Sequence, residues 1–160
     1  MKGVFRTLLA ALVVVLIAPA ALAGEEKGGT PKAKTGAKSA TLVTMTPGDL
    51  KWVANPENAD VQMAVLWGDP AKGPHGAFHK FKPGFNAGLH THSADMHLVV
   101  IAGTLIAATE GGPEKKLPPG SYEFQPHNAK HVTKCDAGSE CVIFVVTNGK
   151  FDLVPAENKK

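Results

Sequence analysis

At 160 residues with a formal net charge of +3, the chain has room for one ordinary domain with a single core. Two catalytic domains, a solenoid array or a polytopic membrane protein are excluded by that length. Lys2 and Arg6 account for two of the three charges, and both lie in a leader-like segment, so the remainder is almost neutral and gives no reason to expect a nucleic-acid partner.

Residues 1–23 read as a signal peptide. Lys2 and Arg6 open it, the apolar run Leu8–Ala18 follows, and Ala21-Leu22-Ala23 offers small residues for cleavage. The uncharged run Thr7–Ala23 is short for a membrane span, so no stable anchor is expected after cleavage and the protein is expected in the periplasm or secreted. Residues 24–40 are rich in Gly, Lys, Thr and Pro and read as a flexible linker, leaving 41–160 as the folded domain.

Beyond residue 40, short apolar runs alternate with Gly/Pro turns. Strands are expected at Val61–Trp67, Ala77–Lys82, His97–Ala108, Ser121–Gln125, His131–Lys134 and Val142–Thr147. Outside the leader no stretch keeps helical apolar spacing for three turns, and 17 Gly with 12 Pro argue against long helices. An all-β sandwich or barrel is therefore expected. Leu98-Val99-Val100-Ile101 is apolar on both parities, which predicts a strand buried on both faces. Cys135 and Cys141 bracket Asp-Ala-Gly-Ser-Glu, which reads as a hairpin turn setting the two cysteines opposite each other. An exported chain meets oxidising conditions, so a structural disulfide is the reading, with two free thiols as the alternative.

All seven histidines fall between His75 and His131. His90 and His92 are two apart and share a face of an extended strand. Side by side they form either a metal-chelating pair or a surface pair on a loop after Gly88. No G-x-S-x-G elbow, H-E-x-x-H or phosphate-binding loop is present. No His follows Cys135 or Cys141, which removes support for a blue-copper site.

Gly84-x5-His90-x-His92-x10-Gly103 resembles the first motif of the cupin superfamily, and Gly120-x5-Pro126-x4-His131 resembles the second. The resemblance spans about residues 60–147, with an inter-motif length like that of small single-domain cupins. It implies a double-stranded β-helix, the jelly-roll barrel. It also implies one divalent transition metal inside the barrel on His90, His92 and His131, a donor set suited to zinc, iron, copper or nickel.

The chain departs from the family pattern at two places. Where cupins usually carry a Glu, this chain has Met96, whose side chain parity directs toward the ion. His97 points away by parity and becomes a candidate fourth ligand only if a bulge at Ser93–Met96 turns it inward. In motif two Asn128 replaces Gly, a tolerable change because Asn also adopts left-handed backbone. Asp95 is a candidate hydrogen-bond acceptor for a ligand imidazole or a solvated turn acid. His75, His79 and His127 are read as having no part in the site, with His75 in a loop bordering the barrel mouth.

The resemblance implies a metal-dependent enzyme, dioxygenase-like or related, acting on a small anionic molecule held in the barrel. A non-catalytic metal- or ligand-binding or sensing module is the alternative. No particular catalytic residue is singled out, and the family's habits add a homodimer as an expectation.

Overall fold

In a computed structural model the described residues are 41–157, so the expected leader at 1–23 and linker at 24–40 lie outside them. A 3-10 turn at Pro47–Asp49 precedes eleven strands. These are β1 (Val53–Asn55), β2 (Asn58–Gly68), β3 (His75–Phe81), β4 (Asn86–Thr91), β5 (Met96–Ala102) and β6 (Leu105–Thr109), followed by β7 (Lys115–Leu117), β8 (Tyr122–Gln125), β9 (His131–Cys135), β10 (Cys141–Thr147) and β11 (Val154–Pro155). They form two antiparallel sheets, one ordered β1-β2-β3-β10-β5-β8 and the other β11-β4-β9-β6-β7. No helix among the described residues is long and apolar enough to cross a membrane.

The predicted run His97–Ala108 is two strands, one in each sheet. Gly103, at φ +74°, turns the chain between them, and a Cβ there would lie 2.3 Å from the Glu140 carbonyl. Only glycine fits so close an approach at positive φ. Asn128 takes φ +60°, a left-handed conformation that asparagine tolerates where the resemblance expects glycine.

Alternation decides what each strand buries. On β3, His75, Ala77, His79 and Phe81 point inward, and on β10 Cys141, Ile143, Val145 and Thr147 do. On β5 the expectation of burial on both faces fails: Leu98 and Val100 are buried, Val99 is half-buried and Ile101 is 49% exposed. The outward residues are apolar because this face of the sheet carries its own aromatic layer, in which Phe144 packs on Trp67 and Phe78.

Cys135 and Cys141 are disulfide-bonded, with Cα atoms 5.8 Å apart. They do not sit across a hairpin, since β9 belongs to one sheet and β10 to the other. The five intervening residues cross between sheets, and the cystine sits within the core alongside Val100, Leu105 and Leu117. Replacing both cysteines with alanine is expected to cost about 2 kcal/mol, the chain-entropy value for so short a loop. Urea unfolding of the double variant beside the parent measures this, and an unchanged midpoint would show that the bridge contributes nothing.

Candidate metal centre

β4 and β9 are neighbours, and their register sets His90 directly opposite His131. Cross-strand partners on one face of a sheet are held within side-chain reach. The two ring centroids are 4.3 Å apart, and His92, just past the end of β4, brings its ring to 4.9 Å from His90 and 5.2 Å from His131. One ligating atom from each of the three lies within 4.8 Å of the others, close enough for a single ion to draw them together. All three residues are buried.

Backbone carbonyls fix the ring orientation. His90 Nδ1 lies 2.9 Å from the Gly88 carbonyl, His131 Nδ1 2.9 Å from that of Ala129, and His92 Nδ1 2.5 Å from that of Asp152. A carbonyl only accepts, so each Nδ1 carries the proton and each Nε2 keeps its lone pair. His131 Nε2 is buried without any protein partner. An orphaned buried nitrogen is costly unless something binds it. Burial also lowers the pKa of His90 to about 4, against the opposing pull of the Gly88 carbonyl, and lowers that of His92 for the same reason. Neutral, oriented imidazoles are the form that ligates a transition metal, so the donor set fits one.

Two histidines expected outside the site behave differently from each other. His127 is exposed, as its place in a turn suggests, whereas His79 lies on β3 inside the barrel, 3% exposed, with Nε2 unpartnered. Its inward parity with Phe81 was the available signal. His75 is fully buried at the start of β3 rather than at a loop, its Nδ1 on the Gly73 carbonyl.

The candidate fourth ligand, His97, is not at the site. No bulge turns it inward, and its exposed ring stacks 4.7 Å from Phe124 with Nδ1 2.7 Å from the Tyr122 hydroxyl. Asp95 does not support a ligand imidazole either. It accepts the backbone N–H of His127, lies 2.8 Å from His127 Nδ1, and takes a further bond from Asn148. Met96 is buried and lines the same cavity as His90 and His92.

That cavity has a volume of about 1270 Å³. Its inner wall is apolar at Phe81, Phe85, Leu98 and Ile143, with polar interruptions at His79, Gln125 and Thr133. The charged lining residues are Lys51, Glu57 and Asp152, none of them buried. A residue invisible to sequence reasoning is Asp152, which serves through its carbonyl on His92 and whose carboxylate accepts the Ser93 backbone N–H. Behind Gln125, the half-buried Glu123 has its pKa raised by burial, and one of its oxygens has no partner.

Among solved structures, the polyketide cyclase RemF from Streptomyces resistomycificus superposes with a TM-score of 0.59 at 17% identity, covering 74% of this chain and 89% of its own. A cupin-2 domain from Rhodospirillum rubrum gives 0.57 at 16% identity, with coverage of 75% and 84%. The DMSP lyase DddQ from Ruegeria pomeroyi gives 0.57 at 17% identity and 71% coverage, and this chain spans 64% of its length. Identities this low establish the fold alone. No curated protein matches the chain. The fold is the jelly roll of the cupin structures, and a family model matching residues 18–154 makes this chain a member of the family described as a domain of unknown function, DUF4437.

Proposed function

We propose that the protein is an exported mononuclear metal-binding cupin and a metal-dependent enzyme, dioxygenase-like or related, acting on a small anionic molecule. His90, His92 and His131 hold one divalent transition ion, zinc, iron, copper or nickel. The observation that carries this reading is the set of three Nδ1 atoms tied to carbonyls, which leaves three lone pairs aimed into one buried place. Three protein ligands leave room on the ion for substrate or water, and a bound ion supplies Lewis acidity there. The chain's own residues Phe81, Phe85 and Leu98 give the cavity an apolar inner wall free of competing charge. Structural neighbours that are lyases and a cyclase support an enzymatic use of this fold. Elemental analysis of protein purified from the periplasm without added metal tests the reading. One equivalent of a transition metal is expected, and metal-free protein that also fails to take up zinc or cobalt would refute it.

A second reading, a non-catalytic metal- or ligand-binding module, is favoured by Met96. A thioether there leaves the three neutral imidazoles without the carboxylate that other cupins bring. The ion then keeps its full charge and favours an anionic guest. Met96→Glu is therefore expected to hold the metal more tightly and to bind small anions more weakly than the parent. Titration of cobalt-substituted protein with acetate, followed by its visible spectrum, measures this. Equal affinities would place Met96 beyond reach of the ion.

A further inference from the structure

The three candidate ligands come from β4, its end and β9, all on one sheet, whereas His79 comes from β3 on the other. It therefore faces the candidate ion from the opposite wall of the cavity. Its ring meets the edges of Phe81 and Phe151, at 6.4 and 5.2 Å, and Phe151 in turn packs 5.7 Å from His92. The cross-strand neighbours of His79 are Met63 and Ile143. None of these side chains can satisfy an imidazole nitrogen, and Nε2 is buried without a partner. Placing an imidazole here costs stability unless something in the cavity bonds to it.

We infer that His79 is a second recognition point, hydrogen-bonding a neutral oxygen at the far end of a small carboxylate whose charged end meets the ion. The inference deepens the metal-centre reading and rests on it. The far group is neutral because the inner wall offers no buried cation other than the ion to balance a second charge, and an uncompensated buried charge is strongly disfavoured. Burial keeps His79 itself uncharged, with a pKa of about 3, so it offers one donor and one acceptor nitrogen. A hydroxyl answers either nitrogen, whereas a carbonyl answers only the one that carries the proton. The body between the two ends is apolar, to match Phe81, Leu98 and Ile143. The substrate class is thus a short carboxylic acid carrying an oxygen function remote from the carboxylate.

Cobalt-substituted protein titrated with propanoate, butanoate and pentanoate, and with their terminally hydroxylated counterparts, tests this through the visible spectrum. At one chain length or more the hydroxyl should strengthen binding to the parent by about tenfold. His79→Phe should abolish that advantage while leaving the simple acids within about twofold, and His79→Gln should restore part of it. Any general damage to the cavity cancels between the two members of each pair. His79→Leu provides the same comparison if the phenylalanine variant does not fold. No hydroxyl advantage at any length, or an advantage that survives both apolar substitutions, would overturn the inference. If protein that holds cobalt responds to no carboxylate at all, it is the metal-centre reading, with its open position, that fails.

Discussion

His131→Ala is expected to weaken zinc retention by at least about 100-fold, since even groups that only orient a ligand change affinity by about 10- to 100-fold. The residue sits at the register position opposite His90, and its Nε2 has no other partner. Competition against a chromogenic chelator measures the loss. His97→Ala is the control: its ring lies outside the barrel on Phe124, and its removal should leave retention unchanged. Parent-like zinc binding by His131→Ala would dismantle the site. An ion at 1,000 times its Kd adds about 4 kcal/mol to the folded state, so the same variant should also lose most of the zinc-dependent rise in Tm.

The second large effect concerns acid. Burial holds His90 at about 4 and His79 at about 3, whereas in the unfolded chain both protonate near 6.5. Between those values the unfolded state binds more protons than the folded one, so stability rises with pH. The metal-free protein should have its full stability above about pH 6.5 and lose it progressively down to pH 4 and below. At 1.36 kcal/mol per unit, His90 alone withdraws on the order of 3 kcal/mol by pH 4, and His79 adds a loss of similar order. Glu123 works the other way, because burial raises its carboxyl and its contribution fades as pH rises through its folded value. Three histidines shifted downward, His92 among them, outweigh one such acid, so a net fall is expected. Urea midpoints of chelator-treated protein at pH 7.5, 6, 5 and 4.5 check it, and a flat profile would mean these imidazoles are not buried in neutral form. Added zinc should move the share that comes from the ligand histidines to lower pH, since the protons must then displace the ion, and leave the share of His79 in place.

What the sequence could disclose depended on how local the physics was. The two motifs lie in short segments, and their glycine and asparagine positions are enforced by nearby backbone, as at Gly103 against Glu140 and at Asn128. The all-β class followed from the same punctuation. Parity placed His97 outward, which the structure shows, and the bulge that would have rescued it is absent. Features that depend on which strands become neighbours were hidden. The Cys135–Cys141 spacing suits a hairpin equally well, and only the sheet assignment of β9 and β10 reveals a link between layers. Ile101 is exposed because its side of β5 belongs to an outer aromatic layer assembled from β2, β3 and β10. Asp95 met His127, and His92 met a carbonyl sixty residues away, through contacts that no periodicity encodes.

Residues 151–155 carry no motif, yet they finish the metal centre. The Asp152 carbonyl holds the proton side of His92, Phe151 packs on the same ring, and Pro155 in β11 pairs with His90. One imidazole, that of His92, and the strand that carries another, His90, are thus held by chain that comes about sixty residues later. During synthesis, a chain that has not yet delivered this segment has both sheets' central strands but no finished place for the proposed ion. A chain lacking residues 151–155 would keep all three histidines but lose the carbonyl that orients His92, so the proposed ion would bind it more weakly while most of the barrel stands.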